Sequence, residues 1–134
     1  FLFQYLIGNT DWTLPGTHNT KLVRRDDEYL PLPYDLDFSG LVGAPYAIPH
    51  PSLADQIESV RDRLYRGFCS DRIDFQALFS RFSERRGAIE ELVRTLPGLS
   101  RRNRNRALDY IEEFYDIIND PEQAREKILE ACWR

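Results

Sequence analysis

The segment IGNTDWTLPGTHNTKLVRRDDEYLPLPYDLDFSG, residues 7–40, decides how this 134-residue chain folds. Two extended runs, Thr20 to Arg24 and Tyr29 to Tyr34, flank the polar tip Arg25-Asp26-Asp27-Glu28. That pattern predicts a β-hairpin. Pro31 and Pro33 place the second strand at a sheet edge, because proline has no N–H to give a ladder. Ahead of the hairpin, Phe1 to Ile7 is short, apolar and followed by Gly8-Asn9, the signature of a buried helix closed by a glycine. A loop from Asn9 to His18 joins the two, with Leu14-Pro15-Gly16 as its turn former. Behind the hairpin, Asp35-Leu36-Asp37-Phe38-Ser39-Gly40 offers two carboxylates, a hydroxyl and a glycine at a strand exit, where side chains are presented to ligands.

Most of the prolines and glycines fall within residues 1–51, and helical periodicity dominates from Ser52 onward. Leu53, Ile57, Val60 and Leu64 recur as one helical face behind Ser52. Asp74 caps a second helix with Phe75, Leu78, Phe79 and Phe82. A third carries Ile89, Leu92, Val93 and Leu96 and stops at Pro97-Gly98. Ser100 opens a fourth through Ile118, and Asp120-Pro121 starts a fifth. The expected class is therefore α+β, mostly helical, with one short hairpin near the N-terminus followed by about five helices. A single domain is expected over residues 1–134, divided into a loop-and-hairpin segment at 1–51 and a helical segment at 52–134.

A net charge of -4 and a pI of about 5.2 give no general attraction to nucleic acid or anionic membrane, so neither is an expected partner. No apolar run approaches the roughly 20 residues that span a bilayer. Cys69 and Cys132 lack metal-ligand spacing and are expected to be reduced core residues, in keeping with a cytoplasmic location. The chain contains no methionine and opens on an apolar run. It is expected to be a fragment whose Phe1 to Ile7 packs against a missing N-terminal lobe or a partner chain.

Outside the hairpin, the polar residues of the first third best suited to chemistry are Asp11, His18, Asn19, Asp35 and Asp37. This is an inventory for phosphoryl transfer, in which catalysis is mainly positioning and neutralisation of phosphate charge. One carboxylate orients the acceptor hydroxyl and takes its proton. Another carboxylate and an amide oxygen hold magnesium, a hard cation that prefers oxygen ligands. His18 can orient Asn19 or a phosphate, and Trp12 can lie over a substrate or cover the core. Arg101, Arg102, Arg104 and Arg106 crowd a helix start, where the macrodipole disfavours cations, and form a candidate site for an acidic partner or phosphate.

The element order, helix, loop with Asp and Asn, hairpin, Asp at the strand exit and helical remainder, resembles the catalytic half of the protein-kinase-like fold. Within it, Ile7-Gly8-Asn9-Thr10-Asp11 through His18-Asn19, followed by Pro33-Tyr34-Asp35-Leu36-Asp37-Phe38-Ser39-Gly40, looks most like the atypical bacterial kinases of the HipA and CotH types. The resemblance covers roughly residues 1–45. It implies a kinase-like C-terminal lobe using ATP and Mg2+ in the full-length protein. Asp11 would orient the acceptor, Asn19 and Asp35 or Asp37 would bind the metal, and His18 would serve cofactor binding. The phosphoryl acceptor is not specified, and the chain without a nucleotide-gripping lobe is expected to be inactive. A second reading is a noncatalytic helical binding domain or pseudokinase acting through protein partners.

Overall fold

In a computed structural model that describes residues 1–133, helix α1 covers Leu2–Ile7 and ends as its glycine signals. Gly8 stands at φ +62°. Its N–H donates to the Tyr5 carbonyl at 3.1 Å, and the Asn9 N–H reaches the Gln4 carbonyl at 2.9 Å. These are the paired bonds of a Schellman closure, which satisfy carbonyls that the helix leaves open. The described chain forms two compact units, one of Phe3–Leu64 and one of residues 65–133 with Phe1 and Leu2.

In the first unit the hairpin forms as expected. Strand β1, Thr20–Arg25, pairs antiparallel with β2, Glu28–Pro33, in a register running from Thr20 opposite Pro33 to Arg25 opposite Glu28. The two-residue turn is Asp26-Asp27, with Asp26 at φ +55°, a conformation that aspartate tolerates better than most residues. Past the hairpin, the Gly40 N–H donates to the Gly8 carbonyl and the Leu41 N–H to the Ile7 carbonyl, both at 3.0 Å. The strand exit is thereby tied to the end of α1.

The helix expected behind Ser52 does not form. Pro51–Leu53 makes a single 3-10 turn, and its cap is His50, whose ring nitrogen accepts the Ser52 N–H. The Asp62 carboxylate takes the N–H groups of Glu58 and Ser59 at 2.9 and 2.8 Å, and Ser59 Oγ takes that of Arg61 at 3.1 Å. Short polar side chains here give the backbone local partners in place of a helical ladder. Leu53, Ile57 and Val60 are buried all the same.

The second unit is built on α2, Phe75–Thr95, and α3, Arg101–Asn119, followed by α4, Pro121–Ala124, which runs into a π-helical turn at Arg125–Leu129. The two helices expected at 74–82 and 89–96 are one. No proline interrupts Asp74 to Thr95, and Gly87 lies in open space within the helix. Asp74, Ser100 and Asp120 cap their helices as expected, each accepting backbone N–H groups of the first turn. Ala107, Tyr110, Ile111, Phe114 and Ile118 put a buried stripe along α3. Phe82 meets Phe114 edge-on at 5.5 Å between centroids, and the Tyr115 hydroxyl donates to the Phe82 carbonyl at 3.2 Å. Arg86 of α2 binds both Glu90 and Glu112, which locks α2 to α3.

The cysteines overturn their expectation: Cys69 and Cys132 form a disulfide, with Cα atoms 5.0 Å apart. Their 63-residue separation in sequence concealed a local pairing. The Cys69 N–H donates to the Trp133 carbonyl at 2.7 Å, and the Trp133 N–H to the Gly67 carbonyl at 2.8 Å, so the two segments run side by side. In the N-terminal run, Leu2, Tyr5, Leu6 and Ile7 are buried, and Phe1 and Phe3 are exposed. Among the described residues no helix is long and apolar enough to cross a membrane.

Candidate functional site

The loop between α1 and β1 is organised by Asn9, a buried residue that sequence reasoning does not single out. Its amide donates to Gln4 Oε1 at 3.1 Å, its carbonyl accepts the Trp12 indole N–H at 3.0 Å, and its Oδ1 accepts the Asp11 N–H at 3.0 Å. Nothing marks such a residue in sequence except its place just after the capping glycine. Trp12 is buried with its N–H on this carbonyl, so it covers the core and leaves no ring face for a substrate.

The eight positions from Asp11 to Asn19 are closed by a turn. The Thr17 N–H donates to the Leu14 carbonyl at 3.1 Å, and the Thr13 N–H to the His18 carbonyl at 3.0 Å. This returns the chain so that the Asn19 side-chain amide donates to both the Asp11 carbonyl, at 2.8 Å, and Asp11 Oδ2, at 2.9 Å. His18 Nε2 lies 3.0 Å from Asp11 Oδ1. Both carboxylate oxygens of Asp11 are therefore engaged, each from a different side. With its N–H bonds directed at Asp11, Asn19 has its Oδ1 as the amide atom for a ligand.

Asn19 also connects the loop to the strand exit, because its carbonyl accepts the Tyr34 N–H at 3.1 Å. Asp35 follows at once. Asn19 and Asp35 both lie in the left-handed region, at φ +49° and +57°, on the two flanks of the hairpin base. Asn and Asp are the non-glycine residues that best tolerate this backbone, and such conformations gather at functional sites.

The second carboxylate, Asp37, accepts the Tyr46 hydroxyl at Oδ2, 2.9 Å away. The hydrogen bond to Asp37 raises the Tyr46 pKa above the ordinary phenol value, with desolvation and the charges of Asp37 and Asp35 adding in the same direction. Asp37 therefore holds the phenol directly, and Asp35 acts on it through charge alone. Sequence reasoning misses Tyr46, since the loop that carries it back to Asp37 holds no motif. Two hydroxyls flank these segments in sequence: Thr20 Oγ1 beside Asn19 and Ser39 Oγ beyond Asp37 are buried without hydrogen-bond partners.

Among the described residues no group of three or more His, Cys, Asp and Glu side chains is placed to hold a metal ion. The candidate donor set is smaller and includes an amide. Asn19, Asp35 and Asp37 are all hard oxygen donors, which suits a cation that keeps several waters. The arginines of α3 divide in their roles. Arg104 donates to the Val93, Leu96 and Leu99 carbonyls at 3.3, 3.3 and 3.0 Å and so closes the end of α2, whereas Arg101, Arg102 and Arg106 are exposed. Comparison with protein-family models, with curated proteins and with solved structures finds no match to this chain.

Proposed function

We propose that residues 7–46 are the catalytic segment of a kinase-like phosphotransferase acting in the full-length protein. The observation that carries this reading is the double hydrogen bond from Asn19 to Asp11, on a residue whose carbonyl is bonded to Tyr34 beside Asp35. One asparagine thus ties the Asp11 carboxylate to the backbone of the strand that runs out into Asp35. Asp11 orients the acceptor hydroxyl and takes its proton as the new oxygen–phosphorus bond forms and the bond to the nucleoside diphosphate breaks. Asn19 with Asp35 or Asp37 would hold Mg2+, which would supply neutralisation of the triphosphate charge when bound. His18 steadies Asp11 through Oδ1 rather than reaching for the nucleotide.

The compartment we infer is an oxidising one in place of the cytoplasm, because a bridge such as Cys69–Cys132 persists where thiols are not kept reduced. The functional test is calorimetric ATP binding and γ-phosphate transfer by the full-length protein. Asp11→Asn is expected to keep Mg2+-dependent ATP binding and lose transfer by roughly 100-fold, the usual order for a positioned acid–base group. Asn19→Ala and substitution of the metal-binding carboxylate are expected to lose both. A wild-type protein that neither binds ATP nor transfers phosphate overturns the proposal and leaves the noncatalytic binding domain in its place.

A further inference from the structure

The two edges of the hairpin are chemically unlike. The Tyr34 N–H donates to the Asn19 carbonyl, which makes that pair a hydrogen-bonded one. Bonded and non-bonded pairs alternate in an antiparallel ladder, so Lys21/Leu32, Val23/Leu30 and Arg25/Glu28 are bonded pairs in the observed register. The backbone groups of Leu22 and Arg24 then point away from β2, and those of Tyr29, Pro31 and Pro33 point away from β1. On the β2 edge, Pro31 and Pro33 have no N–H to offer, which blocks strand addition there. On the β1 edge, Leu22 and Arg24 present their N–H and C=O groups, and both residues are exposed. Among the described residues the sheet has two strands, and no strand lies beside this edge.

The side chains along β1 define what can pair with it. Lys21, Val23 and Arg25 share one face, and Leu22 and Arg24 share the other. The strand contains three cations and no acid. Arg24 is turned to the hairpin tip, where its Nε donates to the Asp26 carbonyl at 2.9 Å and its guanidinium lies 3.7 Å from Asp27. Lys21, whose ammonium stands 5.3 Å from the centre of the Tyr34 ring, and Arg25 are cations four residues apart on the other face, with the exposed Val23 between them. A second copy of this chain fits poorly. Pairing β1 with β1 sets cations beside cations, and pairing β1 with β2 meets the proline edge.

We propose that β1 is a docking edge for an extended acidic segment of a partner protein, added as a third strand. Its pattern is acid, neutral, apolar, apolar, acid, with the acids opposite Lys21 and Arg25 and the apolar pair against Val23 and Leu22. Backbone hydrogen bonds at Leu22 and Arg24 give affinity, and the two acids give selectivity.

The test uses the full-length protein and two labelled peptides, Thr-Glu-Thr-Val-Val-Glu-Thr and its counterpart with lysine at both glutamate positions. Fluorescence anisotropy reads binding, and amide hydrogen exchange reads protection. The acidic peptide is expected to bind at least about ten-fold more tightly and to slow exchange at Leu22 and Arg24. Leu22→Pro removes an outward N–H without touching a hairpin bond and is expected to abolish binding. Lys21→Glu combined with Arg25→Glu should reverse the preference between the peptides, which keeps the test decisive if the proline variant misfolds. Equal binding of both peptides, no binding of either, or protection of these amides by self-association without peptide overturns the proposal.

Discussion

Asn19 holds Asp11 twice, its side-chain amide donating to the Asp11 carbonyl at 2.8 Å and to Asp11 Oδ2 at 2.9 Å, while its own backbone sits at φ +49°. The side chain and the backbone can be separated by substitution. Asn19→Ala loses the bonds and keeps a Cβ in a left-handed conformation, for a combined destabilisation of about 2–3 kcal/mol. Asn19→Gly loses the bonds and relieves the backbone, so it should fall short of that by about 1 kcal/mol. Urea denaturation of the two variants checks the order. Equal stabilities would show that the backbone at Asn19 stores no strain.

The Cys69–Cys132 bridge closes most of the second unit into a loop. Chain-entropy reasoning for a loop of this length gives about 4 kcal/mol, and native bridges commonly deliver about 2–4 kcal/mol. Replacing both cysteines with serine is expected to lower stability by that amount. Thiol titration of the protein unfolded without reductant should find no free thiol. Two titratable thiols would refute the bridge and restore the expectation of a reduced pair.

Glu90 lies between Arg86, 2.7 Å away, and Arg94, 2.6 Å away, and these hydrogen bonds, that of Arg86 first, hold its carboxyl below the usual range. A depressed carboxylate contributes stability above its unfolded pKa and loses it as pH falls through the folded one. Glu90→Gln should therefore cost about 1 kcal/mol at neutral pH. The difference from wild type should shrink as pH falls below the unfolded glutamate value of about 4.3 and vanish only below the depressed folded one. Parallel thermal unfolding at pH 7 and in acid provides the comparison, and a gap that persists in strong acid would assign the effect to packing instead.

Tyr46 should titrate closer to an ordinary phenol once Asp37 is neutralised, because the hydrogen bond and charge of Asp37 both favour its protonated form. Asp37→Asn is expected to lower the Tyr46 pKa, and Asp35→Asn to lower it less, since Asp35 acts through charge alone. Tyrosine ring-carbon NMR resolves the single residue. No movement in Asp35→Asn would separate the two carboxylates and remove Asp35 from the site.

Where local chemistry decides structure, the sequence was informative. Gly8 closes α1, the prolines and the acidic tip define the hairpin, and Asp74, Ser100 and Asp120 cap their helices. Periodicity misled at residues 52–64, where Asp62 and Ser59 draw the backbone N–H groups away from a helix while the apolar residues remain buried. It also split α2, because the polar run around Gly87 hides a continuous helix. Long-range pairings were illegible. Nothing in the sequence brings Trp133 beside Cys69, or Tyr46 onto Asp37, and nothing in the stretch that contains Asn9 marks its buried hydrogen-bonding role. Of the candidate site, Asp11, His18 and Asn19 do meet, whereas Arg104 serves the end of α2.

Whether Asn19 and the strand-exit carboxylates form one nucleotide-dependent metal centre is measured most directly by paramagnetic broadening. Mn2+ takes the place of Mg2+, and spectra of the full-length protein are recorded with and without ATP. The Asn19 side-chain amide and the backbone amides of Asp35 and Asp37 should broaden together, and only when ATP is present. Broadening that spares Asn19, or that ignores ATP, would contradict a shared catalytic centre.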